Sequence, residues 1–315
     1  MAVYTVISKK DLVQHLTRYG IGALVSFEGI TEGVENTNYR VTTDQGVFIL
    51  TLFEKRTRAE DLPFFSGFME YLRARGIPCA RILSGKNGEK LITLNGKPSL
   101  VTNFLEGRWP REIEDFHIVA VSRALAQMHL AGEKFKMRRD NAMSLPAWRD
   151  LVAACGDKAE LKSPGLFHFL QQELAYLEEN WPQGLPSGAI HADLFPDNVF
   201  FKDGKMTGII DFYFSCTDVL VYDLMLAINA WCFSPDGTPY QKRTSLFLST
   251  YKKGRSLNTQ ERTTLTFFGR AAAFRIALTR LYDSLHPQPG AVVKAKDPLE
   301  YMRILDFYQK EGFSV

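Results

Sequence analysis

The tightest constraint on this chain is a polar loop fastened between apolar runs. It reads Ile190-His191-Ala192-Asp193-Leu194-Phe195-Pro196-Asp197-Asn198-Val199, and Gly208-Ile209-Ile210-Asp211-Phe212 follows a few residues later. Ala189-Ile190 forms a short strand entering the loop, and Pro196 keeps the loop from continuing as helix. Residues 199–201 and 206–210 are two short apolar runs. Lys202-Asp203-Gly204-Lys205 between them carries an Asp-Gly turn signal, so the two runs read as a hairpin. Folding back through that hairpin brings Asp211 toward Asn198.

The order of these groups carries the chemistry. A transferred phosphoryl group needs a carboxylate to hold the acceptor hydroxyl in line. It also needs a carboxamide and a second carboxylate to keep Mg²⁺ against the phosphates of ATP. His-x-Asp, four residues, Asn, and then Asp beyond a hairpin supplies those groups in sequence. The expected roles are Asp193 as base, His191 as organiser of the backbone around it, and Asn198 with Asp211 as metal ligands. The plainer reading, polar residues satisfying turns, suits the first segment alone. It gives no reason for the ordered hairpin and the second Asp.

The rest of the chain divides by periodicity. Residues 1–104 read as an antiparallel sheet with two helices, and residues 105–315 turn mainly helical. Strands are expected at 23–30, 38–42, 47–53, 91–94 and 99–104, with helices from Ser8 to Tyr19 and from Arg58 to Arg75. Later helices are expected at 113–130, 167–180, 218–231, 242–251, 260–283 and 298–309. The fold class is therefore α+β and two-lobed, a nucleotide-binding lobe followed by a larger lobe carrying the catalytic loop, with a cleft between them expected to hold the nucleotide.

Composition narrows the alternatives. A net charge of +3 on 315 residues leaves no nucleic-acid footprint. Cys79, Cys155, Cys216 and Cys232 are scattered and suggest neither a metal site nor a disulfide framework. No apolar run reaches the roughly 20 residues that span a bilayer, and no signal peptide is evident at the N-terminus. A cytoplasmic enzyme is expected, with no membrane or nucleic-acid partner; the oligomeric state stays open.

Three further stretches are candidates. Residues 29–39 lie where a hairpin would cover phosphates, with Asn36, Thr37 and Asn38 at its polar end. They contain neither G-x-G-x-x-G nor a P-loop. Thr102, Asn103 and Phe104 end a buried strand just before Gly107, where a hinge would meet the adenine edge. His129 reads as a packed or capping histidine, and Asp223 as an anchor between its helix and the catalytic loop. A protein kinase is excluded. Only a few residues separate Asp211 from the next helix, leaving no activation segment; Tyr213 breaks Asp-Phe-Gly, and Ala192 replaces the Arg of His-Arg-Asp. The acceptor must be small.

With those residues in place, the chain resembles the aminoglycoside phosphotransferase and choline kinase superfamily, small-molecule kinases with a protein-kinase-like fold. Residues 191–201, 210–214 and 222–233, with 32–39, narrow the resemblance to the homoserine kinases built on this fold. The resemblance implies transfer of the ATP γ-phosphate to L-homoserine, on the path to threonine. One residue departs from the superfamily. Its members usually carry a Lys or Arg on the third strand to pair with the phosphates, and here Thr51 stands there. Thr donates one hydrogen bond but neutralises no charge. Lys55, Arg56 and Arg40 are candidate substitutes. For the amino-acid end of the acceptor, Arg139, Asn141, Trp231, Arg275 and Arg280 are candidates, with Asp211 or Asp218 for its ammonium. Choline, methylthioribose or an antibiotic as acceptor, and a silent nucleotide-binding module, stay open at this level.

Overall fold

The computed structural model describes residues 4–31, 36–54, 57–287 and 296–313. Residues 32–35 of the expected phosphate loop, and Lys55 and Arg56, lie outside the described residues. The chain divides into two compact units. The first comprises residues up to Gly107 together with Thr207–Tyr213, and the second holds most of the remainder. Asp211 thus belongs to the sheet unit, although it follows the catalytic loop in sequence.

In the sheet unit, helix α1 (Lys9–Leu16) opens on Ser8, whose side chain accepts from the Asp11 amide at 3.1 Å. Strands β1 (Leu24–Ile30), β2 (Thr37–Thr43), β3 (Gly46–Leu52), β4 (Ile92–Leu94) and β5 (Lys97–Asn103) pair antiparallel in the order β1-β2-β3-β5-β4. Period-2 alternation sorts β2. Tyr39 and Val41 join Leu12, Leu16, Leu50, Leu52 and Val101 in the core, so Asn38 and Arg40 take the other face. On that face Asn38 lies opposite Thr51, and Ile49 lies opposite Thr102. Helix α2 (Leu62–Arg73) places Pro63 in its first turn and buries Phe64, Phe65, Phe68 and Leu72.

The helical unit contains α3 (Asp115–Gly132), α4 (Leu145–Cys155) and α5 (Leu166–Glu179), then β6 (Ser187–Ile190). Strands β7 (Val199–Lys202) and β8 (Lys205–Ile209) make the expected hairpin. Asp203 and Gly204 at its tip have φ of 50° and 70°, the left-handed pair of a type I′ turn. Strand β9 (Cys216–Val219) pairs with β6 and leads into α6 (Leu220–Trp231). Helices α7 (Gln241–Gly254), α8 (Thr259–Thr263), α9 (Leu265–Leu285) and α10 (Pro298–Lys310) complete the unit.

Two glycines seat α3 on β6. A Cβ on Gly132 would stand 2.1 Å from the Ala189 carbonyl oxygen, and one on Gly188 2.7 Å from the Glu133 amide nitrogen. Only hydrogen fits at either place.

The structure also differs from the periodicity reading. Helix α4 was not expected. The helix expected from 218 begins at Leu220, because Cys216–Val219 pairs with β6 instead. The helix expected over 260–283 is two helices, broken at Thr264.

Candidate active site

The catalytic loop leaves β6 and is held at several backbone groups. Ala192 has φ of 62°, a left-handed value that an L side chain rarely adopts, so its surroundings must impose it. From α6, the buried Asp223 carboxylate accepts the His191 amide at 3.0 Å and the Ala192 amide at 2.8 Å. On the far side of the same residue, in the next peptide, the Ala192 carbonyl accepts from Nη1 of Arg275, a buried residue of α9. The Asp193 amide donates to His191 Nδ1 at 3.2 Å. Asn198 Nδ2 donates to the Asp193 carbonyl at 2.8 Å and to Asp193 Oδ2 at 3.1 Å. Trp231, also on α6, donates its Nε1 to the Leu194 carbonyl at 2.8 Å. Each contact removes a freedom from the residue expected to hold the acceptor hydroxyl.

Asp223 is itself supported. His129, at the end of α3, bridges Asp223 Oδ2 at 3.0 Å and the Tyr251 hydroxyl at 2.6 Å. Arg255 reaches Tyr251 and pairs with Glu261 at 2.8 Å. Although Asp223 is desolvated, the hydrogen bond from His129 and the neighbouring imidazole and amides hold its carboxyl below the ordinary range. Burial pushes the Asp193 carboxyl up to about 6, opposed first by the Arg275 guanidinium. Lys296 pairs with Asp197 at 2.9 Å beside it.

The other expected groups lie in the sheet unit. Asp211 also has a left-handed φ of 62°. The chain is anchored on either side of it: two residues before, the Ile209 amide donates to the Pro78 carbonyl at 3.0 Å, and just after, Phe212 packs edge-on to Phe68. Tyr213 packs against Phe53 and Phe65, and its hydroxyl, raised by burial and by the Asp211 carboxylate, meets Thr51. Thr51 in turn donates to Asn38 Oδ1 at 2.7 Å.

The remaining sequence candidates fall into distinct places. Thr37 lies on the opposite face from Asn38, fully buried, and donates to Glu54 at 2.7 Å. Asn36 accepts from the Glu54 amide at 3.2 Å and is also buried. Both side chains therefore serve the end of β3, for the alternation that aims Asn38 one way aims Thr37 the other. Thr102 is buried opposite Ile49, Asn103 Oδ1 accepts the Arg81 amide at 2.5 Å, and Phe104 lies under Arg40. Arg40 also pairs with Glu28 at 3.3 Å. In the helical unit, Arg139 donates to the Ser215 carbonyl at 3.0 Å, and Asn141 to Asp218 at 2.6 Å. Arg280 pairs with Glu300 at 2.6 Å. Trp231 and Arg275, expected at the acceptor, are instead buried against the catalytic loop.

Sequence reasoning missed the backing of His129 by Tyr251, because 122 residues separate the partners and neither sits in a local motif. It also missed that Arg275 is buried. Here a signal existed: Ala271-Ala272-Ala273-Phe274-Arg275-Ile276-Ala277-Leu278 is apolar all round, the mark of a core helix, and an Arg inside one must find a partner.

Residues 26–257 match the model of the phosphotransferase enzyme family. The chain belongs to the phosphotransferase enzyme family. Among similar family members, a homoserine kinase of Afipia carboxidovorans is 49% identical over 309 residues, covering 98% of this chain and 95% of the relative. The homoserine kinase of Nitrobacter winogradskyi is 48% identical over 312 residues, covering 99% and 96%. Solved structures share the fold at low identity. An amicoumacin kinase bound to AMP-PNP and Ca²⁺ aligns with a TM-score of 0.72 at 14% identity, covering 97% of this chain and 95% of that one. A spectinomycin phosphotransferase aligns at 0.69 and 14%, covering 96% and 95%. This phosphotransferase is thus an enzyme with a protein-kinase-like α+β fold. Among its described residues no helix is long and apolar enough to cross a membrane.

Proposed function

We propose that the chain phosphorylates the side-chain hydroxyl of L-homoserine with ATP, giving O-phospho-L-homoserine for threonine biosynthesis in the cytoplasm. The observation that carries the reading is the immobilised catalytic loop, in a chain nearly half identical over its whole length to proteins named homoserine kinase. Asp193 accepts a hydrogen bond from the acceptor hydroxyl, orients it toward the γ-phosphate and takes its proton as the bond to phosphorus forms. Both hydrogen bonds of the Asn198 amide nitrogen are spent on Asp193, which turns the carboxamide oxygen into the donor available for a cation. That oxygen and the Asp211 carboxylate are hard donors, the kind Mg²⁺ takes. Mg²⁺ held by these donors would supply charge neutralisation to the phosphates. Asn38, Thr51 and the segment 102–104 stand as the nucleotide contacts of the sheet unit, and Arg139 and Asn141 as the contacts for the amino-acid end.

The test is a coupled ADP-release assay with Mg-ATP against L-homoserine, choline, methylthioribose and kanamycin in parallel. Turnover is expected with homoserine. Asp193→Asn is expected to lower it by roughly 10²–10⁴, the usual worth of a positioned base, with ATP binding nearly intact. Wild-type turnover in that variant refutes the role of Asp193, and turnover with another alcohol alone refutes the substrate.

A further inference from the structure

We infer that Arg275 is a positioning residue that locks the Ala192–Asp193 peptide in its reactive conformation, and that it does not bind the carboxylate of the acceptor. The inference rests on the reading of Asp193 as the residue that holds the acceptor hydroxyl. Five observations bear on this side chain. Its guanidinium is buried, Nη1 donates to the Ala192 carbonyl, and the group lies over the Phe214 ring, 5.3 Å from the centroid. The residue it grips has φ of 62° and carries a side chain. The amide of that same residue is gripped from the other side by Asp223 at 2.8 Å.

Geometry explains why one clamp is not enough. A left-handed alanine costs roughly 1–2 kcal/mol, and a loop relaxes it by rotating the peptide that follows. Asp223 fixes the amide before the strained residue; in the peptide after it the Asp193 amide is tied only to His191 Nδ1 at 3.2 Å, and Asp223 gives the carbonyl no partner. That carbonyl belongs to the peptide whose nitrogen is Asp193. Rotating it turns the Asp193 side chain away from its bond with Asn198 and from the acceptor. Arg275 pins that carbonyl, and as a cation it makes a stronger hydrogen bond than a neutral donor would. Buried beside Phe214 and Tyr222 and turned onto the backbone of the loop, the guanidinium presents no exposed face for a substrate carboxylate. Burial near Asp193 also answers the cost of placing an arginine in an apolar helix, since the guanidinium faces both the carbonyl and that carboxylate.

Steady-state kinetics on Arg275→Met and Arg275→Gln separates the two roles. With Arg275 positioning the loop, kcat falls on the order of 10²-fold in the Met variant, the cost of misplacing a reacting group by about 1 Å. The Gln variant, which keeps a neutral donor on a shorter stem, falls less. KM for homoserine and the Kd for ATP stay within about twofold of wild type. A KM for homoserine raised tenfold or more with kcat preserved would show that Arg275 holds the acceptor's carboxylate, and would overturn the inference. So would kcat within twofold of wild type in both variants. If the Met variant does not fold, the Gln variant alone decides, by the same split between kcat and KM. Absence of homoserine turnover in the wild-type control overturns the substrate reading instead, a result visible before any variant is made.

Discussion

Replacing Asp223 by Asn tests how strongly the loop depends on a single carboxylate. In the native protein Oδ1 accepts the Ala192 amide at 2.8 Å, while Oδ2 accepts the His191 amide and meets His129, both at 3.0 Å. The group is fully buried, so no water replaces a lost partner. Asn has one acceptor oxygen. Turned toward His191 and His129, it leaves its NH₂ facing the Ala192 amide, donor against donor. The change removes one charge-assisted hydrogen bond, worth about 1.5–3 kcal/mol, and leaves a buried N–H unsatisfied at about 1–3 kcal/mol. The sum is roughly 2.5–6 kcal/mol. At about 2 °C per kcal/mol for a chain of this size, the Tm falls by about 5–12 °C. Differential scanning fluorimetry reads the loss, and the ADP-release assay at a temperature where the variant is folded reads the consequence for the loop, a kcat lower by tenfold or more. A Tm within 2 °C of wild type, with kcat unchanged, would refute the claim that an ionised Asp223 imposes the loop conformation.

Two further changes reach the fold more widely. His15 is buried in the sheet unit beside Ser99, and burial lowers its pKa from 6.5 to about 4. The native state therefore refuses a proton that the unfolded chain accepts. Stability is intact above pH 6.5, falls by up to about 3 kcal/mol as the pH drops to 4, and gains no further loss from this group below that; urea titrations of wild type and His15→Gln across this range should diverge only below pH 6.5, and parallel curves would show that His15 does not titrate as a buried group. Gly132→Ala drives a methyl into the Ala189 carbonyl, a backbone collision worth more than about 4 kcal/mol, so soluble expression should collapse, and a folded variant with a Tm near wild type would contradict the packing.

The parts legible in the sequence are those whose signals are local. The hairpin with its Asp-Gly tip, the Ser8 cap and the order of Asp193, Asn198 and Asp211 each sit within a few residues of their cause. Strand β9 was not legible: Cys216-Thr217-Asp218-Val219 has no strong alternation, and its pairing with β6 is a tertiary fact. Helix α4 has local signals, for Pro146 in its first turn and Trp148, Val152 and Cys155 at helical spacing mark its start and its buried face. The fate of Thr37 was decided by register. A strand tells which neighbours oppose each other in facing, but the face that meets the core is fixed only once Tyr39 and Val41 find α1.

The bare contact of Gly132 with Ala189 has a consequence beyond its fragility. Where side chains separate a helix from a strand, the gap is set by their volumes and drifts as they change over generations. Here the gap is the thickness of two main chains, a quantity no substitution elsewhere can alter. The end of α3, with His129 on it, and the strand that delivers the catalytic loop are thereby gauged against each other by covalent geometry itself. The rest of the helical core is left at liberty to vary its residues without detuning the distance on which the loop depends.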